Sequence, residues 1–112
     1  MRFKNEKTFR SRIYIAGDYA EAKTLCRKYC MTGLCVTLLK CDFVYTGGAE
    51  SGVEVGLVNY PRFPSTEDEI RKKSVDLACE LIRGLCQTSA LVVDDVETTW
   101  ITTREENDEV VK

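Results

Sequence analysis

The sequence predicts an α+β domain in which two helices cover one face of a four-stranded antiparallel sheet. The chain has 112 residues, of which 44% are hydrophobic and 30% charged, and this suits one domain with a buried core. Segments with alternating apolar residues predict strands, and segments with apolar residues at helical spacing predict helices. These segments follow one another in the order β-α-β-β-α-β.

The first strand is predicted at 12–16, where apolar and other residues alternate. A helix follows it. Asp18 is the predicted N-cap, and Glu21 stands three residues later, as in a capping box. Gly33 suits the left-handed conformation that ends a helix.

A hairpin is predicted next. Residues 34–45 are rich in β-formers, but their apolar residues change phase, which predicts a bulge near 38–40. The glycine-rich stretch 46–52 predicts a loop, and alternation resumes in a partner strand that extends to about Tyr60.

The second helix is predicted after Pro61 and Pro64, with Ser65 as its N-cap and Asp68 at its third position. An apolar stripe at helical spacing continues to Leu85. A single last strand is predicted at about 90–103.

This order of elements is the split βαβ arrangement of the ferredoxin-like fold. Right-handed crossovers place both helices on one face of the sheet, so the other face is left bare. Apolar residues on a bare face indicate a binding surface. We expect a homo-oligomer to form through this face, with interface residues Tyr14, Leu39, Val58 and Trp100.

Charge divides the chain into three predicted parts. A basic N-terminal arm covers 1–11, the ferredoxin-like domain covers 12–103, and an acidic tail covers 104–112. The net charge is −2, which argues against a general nucleic-acid binder. Either end is also explained as an ordinary solvated terminus.

No apolar run resembles a signal peptide or a membrane helix, so we expect a cytoplasmic protein. The six cysteines should then be reduced thiols, and their spacing favours core packing over a zinc site. The chain contains no histidine, which excludes triads that use one, and no phosphate loop of the ATPase kind. These absences favour a non-enzymatic protein without a cofactor.

Two segments are candidates for binding a small anionic, nucleotide-like ligand. Glycines in the 46–52 loop allow backbone amides to converge on an anion, and Arg62 precedes a helix N-terminus that favours negative charge. The predicted ligand-binding residues are Thr46, Gly47, Gly48, Glu50, Tyr60 and Arg62. A hairpin that needs its glycines and a rigid strand-to-helix connection explain the same residues without a ligand.

Three acidic residues on the last strand, Asp94, Asp95 and Glu97, offer a different chemistry. Carboxylates on one face can hold magnesium, so a metal-dependent enzyme acting on phosphodiesters is an alternative. A solvated strand end explains them equally, and we assign no metal ligand.

The segments YIAGDYAEAKTLCRKYC, YTGGAESGVEVGLVNYPRFP and ETTWITTREE resemble small tailed-phage proteins with a ferredoxin-like fold. The layout is also similar to that of nitrogen-regulatory and copper-tolerance signalling proteins, which are trimers that bind ligands between subunits. The effector-loop and metal residues of those proteins have no counterpart here, so no site residue is transferred.

The sequence therefore predicts a non-enzymatic, self-associating phage module that binds a small anionic ligand. A second hypothesis is an acidic inhibitor or adaptor that binds a host enzyme, because acidic patches imitate phosphate charge. The metal-dependent phosphodiester enzyme is the third.

Overall fold

The computed structural model describes residues 1–105, so most of the predicted acidic tail, 106–112, lies outside the described residues. The strands are β1 Arg10–Ala16, β2 Thr37–Tyr45, β3 Gly48–Val58, β4 Ser89–Asp94 and β5 Thr98–Thr102. The helices are α1 Tyr19–Tyr29 and α2 Glu67–Gly84, and a 3₁₀ turn, Cys30–Thr32, follows α1.

The described strands form one open antiparallel sheet in the order β2-β3-β1-β4-β5. The α+β class and the two helices are confirmed, but the sheet has five strands where four were predicted. The predicted last strand, 90–103, is two strands because a turn interrupts it. The Asp94 carboxylate accepts the N–H groups of Val96 and Glu97 at 2.8 Å each and reverses the chain there.

The β2–β3 hairpin is more regular than predicted. Its register runs without a break from Thr37 opposite Gly56 to Tyr45 opposite Gly48, so the predicted bulge near 38–40 is absent. The apolar phase changes because Leu38 and the apolar residues before it pack against the core, whereas Leu39, Cys41 and Phe43 lie on the opposite face of the strand. Only two residues make the turn, and Gly47 has the positive φ of 88° that it requires.

Both helices begin at side-chain caps. The Asp18 carboxylate accepts the N–H of Glu21 at 3.0 Å, as predicted for α1. In α2 the N-cap is Thr66, with Glu69 completing a capping box, and not Ser65. Thr66 and Glu69 form both hydrogen bonds of the box, so the helix starts one residue later than predicted, and Ser65 donates its N–H to the Asn59 side chain at 2.8 Å.

The core lies between the helices and one face of the sheet. Alternate residues of the three central strands point inward and meet the apolar stripe of α2 and two small side chains of α1. The fully buried apolar side chains include Ile13, Ile15, Val53, Val55, Leu57, Leu77, Leu81 and Val92. Burial of this set is the main stabilisation of the domain.

Asn59 ties the N-terminal arm to this core. Its side chain donates to the Lys7 carbonyl at 2.8 Å, and its backbone N–H donates to the Phe9 carbonyl at 2.9 Å. β1 also begins at Arg10, inside the stretch 1–11 predicted as the arm. Asn59 is 7% exposed, so these hydrogen bonds are shielded from water.

Candidate ligand-binding cleft

The face of the sheet opposite the helices is uncovered. Strand register places a row of side chains across all five strands on this face, which consists of Leu39, Glu54, Tyr14, Leu91 and Trp100. Apolar members of the row are partly exposed, Leu39 by 58% and Trp100 by 48%. An uncovered row of this kind is a potential binding surface.

An open cleft of about 680 Å³ occupies one end of this face. Three aromatic side chains line it: Tyr14 from the central strand β1, and Phe43 and Trp100 from the two edge strands β2 and β5. Its other lining residues include Glu50, Asp42, Cys41, Leu91 and Arg104, and the segment Gln87, Thr88 and Ser89 that enters β4. A volume of this size holds a nucleoside-sized molecule.

Gly52 allows the Phe43 ring to lie on the floor of the cleft. A Cβ on Gly52 would collide with the Phe43 ring and would stand 2.5 Å from the carbonyl oxygen of Ile15. The glycine therefore leaves the space that the aromatic ring fills. This requirement explains a glycine in the interior of a strand, where it otherwise weakens the structure.

The charged groups of the cleft are carboxylates on one side and a guanidinium on the other. Glu50 stands directly opposite Phe43 in the β2–β3 ladder, and Asp42 precedes Phe43. Arg104 follows β5, and its backbone N–H donates to the Thr102 hydroxyl at 3.0 Å. Within residues 1–105 neither Glu50 nor Arg104 makes a salt bridge.

Cys41 lies in the cleft as a neutral thiol. Burial, followed by the neighbouring carboxylates of Glu54 and Asp42, raises the pKa of Cys41. The thiolate is the nucleophilic form of cysteine, so these surroundings do not prepare Cys41 for covalent catalysis. Cys41 therefore contributes a small, polarisable side chain to the surface of the cleft.

The structure separates the two parts of the predicted anion site. Thr46 and Gly47 form the turn before β3, whereas Tyr60 and Arg62 follow the end of β3. Eleven residues of strand lie between them, which is about 35 Å. Gly48 and Glu50 belong to the ladder itself, so the glycines do not form a cradle. Of the predicted ligand-binding residues, only Glu50 lines the cleft.

Tyr60 and Arg62 lie at the far end of the molecule with Phe63. The Tyr60 and Phe63 rings are 6.1 Å apart between centroids, and the Arg62 guanidinium stands 5.4 Å from the Phe63 ring centre. Arg62 is exposed, and its neighbour here is an aromatic face.

The four predicted interface residues all lie on the uncovered face, but in two groups. Tyr14 and Trp100 line the cleft. Leu39 and Val58 line a separate cavity of about 280 Å³ towards the other end of the face. The placement on one face agrees with the predicted strand phase, whereas the contact with a second subunit stays a prediction.

Asp94 and Asp95, two of the three acidic residues considered for magnesium, have structural partners. Burial opposes the ionised form of Asp94, but the N–H groups of Glu97 and Val96 and the Arg71 guanidinium outweigh it, and together they lower the pKa of Asp94. Asp95 pairs with Arg10 at 3.4 Å. In the part of the chain that the structure describes, no three acidic or cysteine side chains are placed to hold a metal ion.

Several cleft residues were missed by the sequence interpretation. Phe43 was placed on a strand without a role, and neither Arg104 nor the segment 87–89 was considered. The signal for Phe43 was present, because it shares a strand phase with Leu39 and Cys41. Nothing local to the sequence indicates Arg104 or 87–89, since their position depends on the pairing of β4 and β5.

Two solved structures resemble this chain over most of its length. One is a phage SAM lyase in complex with S-methyl-5′-thioadenosine, with a TM-score of 0.70 and 18% identity, covering 92% of this chain and 95% of that one. The other is a phage SAM lyase in the apo state, with a TM-score of 0.65 and 17% identity, covering 87% and 90%. No protein family and no curated protein matches the sequence. The likeness establishes a shared fold and agrees with the predicted resemblance to phage proteins.

The prediction of a non-enzymatic module is wrong, because the solved proteins that share this fold are lyases. The missing histidine and phosphate loop exclude only the mechanisms that use those groups. The inhibitor alternative is also non-enzymatic, and the same finding contradicts it. Within residues 1–105 no group of three possible metal ligands supports the phosphodiester alternative. The expectation of a nucleotide-like ligand agrees with the thioadenosine compound bound by the neighbour. No helix within residues 1–105 is long and apolar enough to span a membrane.

Proposed function

We propose that this chain binds S-adenosylmethionine in the cleft and cleaves it, with release of S-methyl-5′-thioadenosine. The observation that carries the proposal is the composition of the cleft. Three aromatic rings, two carboxylates and one guanidinium border a single open volume of about 680 Å³. The activity of the structural neighbour supports the same substrate class.

Each part of the substrate has a chemical counterpart in the cleft. The adenine base stacks on aromatic side chains, for which Phe43 and Trp100 are the candidates. Glu50 accepts hydrogen bonds from ribose hydroxyls and attracts the positive sulfonium. Arg104 pairs with the carboxylate of the methionyl part. The charges of the cleft are therefore complementary to a substrate that carries both signs.

The proposed reaction breaks the bond between the sulfonium sulfur and the methionyl side chain. The bonding electron pair stays on sulfur, which leaves as the neutral thioether of S-methyl-5′-thioadenosine. A lyase uses no water, so the four-carbon fragment is completed by an electron pair from its own carboxylate or by loss of a proton. Attack by the carboxylate cancels two opposite charges. Such a loss of charge is more favourable in a cleft with an aromatic floor than in bulk water.

The test is incubation of the purified protein with S-adenosylmethionine, followed by chromatography and mass spectrometry. We expect S-methyl-5′-thioadenosine to appear faster than in buffer alone. The mass of the four-carbon product distinguishes hydrolysis, which adds water, from cleavage without water. Its retention time separates a lactone from an alkene of the same mass.

Variants of matched chemistry locate the reaction. Glu50→Gln should slow the formation of S-methyl-5′-thioadenosine strongly, because it removes the carboxylate that stands opposite Phe43 in the cleft. Glu80→Gln is the control, since Glu80 lies on α2, away from the cleft, and forms only an exposed ion pair with Arg83. Failure of the wild-type protein to form the thioether, or equal rates for both variants, would overturn the proposal.

We also propose that the uncovered face carries a contact between copies of this chain. Leu39 and Val58 are 58% and 48% exposed, and they lie on the half of the face beyond the cleft. Such a contact buries apolar surface and leaves the cleft at its border. Native mass spectrometry should show an oligomer that Leu39→Glu dissociates, and a wild-type monomer at micromolar concentration would contradict this.

A further inference from the structure

A second cavity, of about 310 Å³, lies at the end of the molecule remote from the cleft. Its walls are mostly apolar and include Leu34, Val58, Phe63 and Ile70. Two cysteines, Cys30 and Cys35, also line it, and the proposed cleavage of a sulfonium compound makes no use of them. All six cysteines of the chain are free thiols.

The backbone folds so that Cys35 returns to Cys30. Cys30 begins the 3₁₀ turn, and its carbonyl accepts the N–H groups of Gly33 at 3.0 Å and Leu34 at 3.3 Å. Gly33 has φ of 98°, the left-handed conformation that reverses the chain. Two thiols five residues apart are thereby brought to the same cavity wall.

The two thiols differ in their access to reagents. Cys35 is exposed, whereas Cys30 is half-buried. Burial, followed by the nearby Cys35 sulfur, raises the pKa of Cys30. An external reagent therefore reaches Cys35 first, and Cys30 stands behind it as the second thiol.

We propose that Cys30 and Cys35 are a redox-active dithiol, which a small-molecule disulfide such as glutathione disulfide converts into an intramolecular disulfide. The Cys35 thiolate attacks the reagent, forming a mixed disulfide and releasing one glutathione thiol. The Cys30 thiolate then attacks the Cys35 sulfur and releases the second glutathione thiol. The two cysteine protons pass to the two glutathione thiolates, and the two electrons pass to the reagent.

The test is incubation of the full chain with oxidised glutathione under native conditions. Remaining thiols are then alkylated, and digested peptides are mapped by mass spectrometry without reduction. We expect a linked pair of Cys30 and Cys35, a loss of two hydrogen atoms from the intact mass, and reversal by dithiothreitol. This wild-type measurement requires no substitution and so does not depend on the folding of a variant.

Single substitutions separate the two roles. Cys30→Ser should accumulate a stable glutathione adduct at Cys35, because the second thiol is gone. Cys35→Ser should leave Cys30 mostly reduced. Cys86→Ser removes another exposed thiol and should leave the Cys30–Cys35 link unchanged. A stable glutathione adduct at Cys35 in the wild-type protein, or links shared among other cysteines, would overturn the proposal.

Discussion

The Arg71 guanidinium donates its Nε–H to Asp94 Oδ2 at 3.0 Å and so joins helix α2 to the turn between β4 and β5. The same carboxylate accepts two backbone N–H groups of that turn through its other oxygen. The Asp94 side chain is only 10% exposed, so these bonds form in partly dry surroundings. One side chain thereby positions the hairpin that carries Trp100 and Arg104 to the cleft.

Asp94→Ala should lower the free energy of unfolding by about 1 to 3 kcal/mol, because the turn N–H groups and Arg71 lose their acceptor. Asp95→Ala is the control. Its ion pair with Arg10 and the hydrogen bond that it accepts from the Arg10 N–H are both exposed, so their loss should cost less than about 1 kcal/mol. Urea unfolding measures both, and equal losses would show that Asp94 has no special role.

Acidic pH should remove the stabilisation of the fold that the Asp94 carboxylate provides. Its pKa is lowered in the folded protein, so the folded state favours the ionised carboxylate. The stabilisation is then present above the ordinary carboxyl range and is lost as pH falls through the lowered pKa, below about pH 4. The free energy of unfolding of the wild type and of Asp94→Ala can be measured at a series of pH values. The difference between the two proteins should become smaller in this range. A difference independent of pH would contradict the assignment.

Asn59→Ala should destabilise the protein by about 1 to 3 kcal/mol, because it leaves the Lys7 carbonyl and the Ser65 N–H without their partner. The exposed Thr24→Ala serves as the control, since it removes only a hydroxyl contact within α1 and should change stability by less than about 0.5 kcal/mol. Thermal unfolding measures the stability of both variants against the wild type. Amide exchange near residue 9 should also accelerate in Asn59→Ala alone.

Trp100 is the one tryptophan of the chain and offers a direct signal for the cleft. Addition of S-methyl-5′-thioadenosine should change its fluorescence in a saturable manner. Phe43→Ala should weaken the binding about 5- to 150-fold, since stacking on an aromatic side chain contributes about 1 to 3 kcal/mol per base. Arg62→Ala, remote from the cleft, should bind as the wild type does. An unchanged affinity in Phe43→Ala would place the ligand elsewhere.

Gly52→Ala should impair the cleft and the fold together. The added methyl group collides with the Phe43 ring and approaches the Ile15 carbonyl, so we expect a loss of about 1 to 3 kcal/mol and weaker thioadenosine binding. Ser51→Ala, at the exposed neighbouring position, should change neither. Urea unfolding and the Trp100 titration give the two readouts. Wild-type affinity in Gly52→Ala would show that the position of Phe43 does not matter for binding.

Local patterns were sufficient for most of the fold. The order of helices and strands follows from apolar periodicity, and Asp18 was identified as a cap from its position alone. The fifth strand was missed because the turn at Asp94 depends on side-chain hydrogen bonds that strand periodicity does not reveal. The start of α2 moved to Thr66 because Thr66 and Glu69 form a complete capping box.

The candidate site was less accessible to sequence interpretation. Glycines near Glu50 suggested a loop, but the nine-residue strand β2 pairs with them and makes them part of a ladder. Tyr14 and Trp100 were correctly placed on one face, whereas Phe43 and Arg104 join them only through the register of separate strand pairs. Register over such distances is a tertiary property, and local composition carries little information about it.

The aromatic floor of the cleft is assembled from β1, β2 and β5, which include both edges of the sheet. No fragment with fewer strands contains it, so a ligand bound there has affinity for the complete native state alone. Because the ligand binds only the native state, its binding raises the free energy of unfolding of the whole domain by mass action. Occupancy should therefore slow the opening of both edge strands at once, although Phe43 and Trp100 lie on strands that never pair with each other.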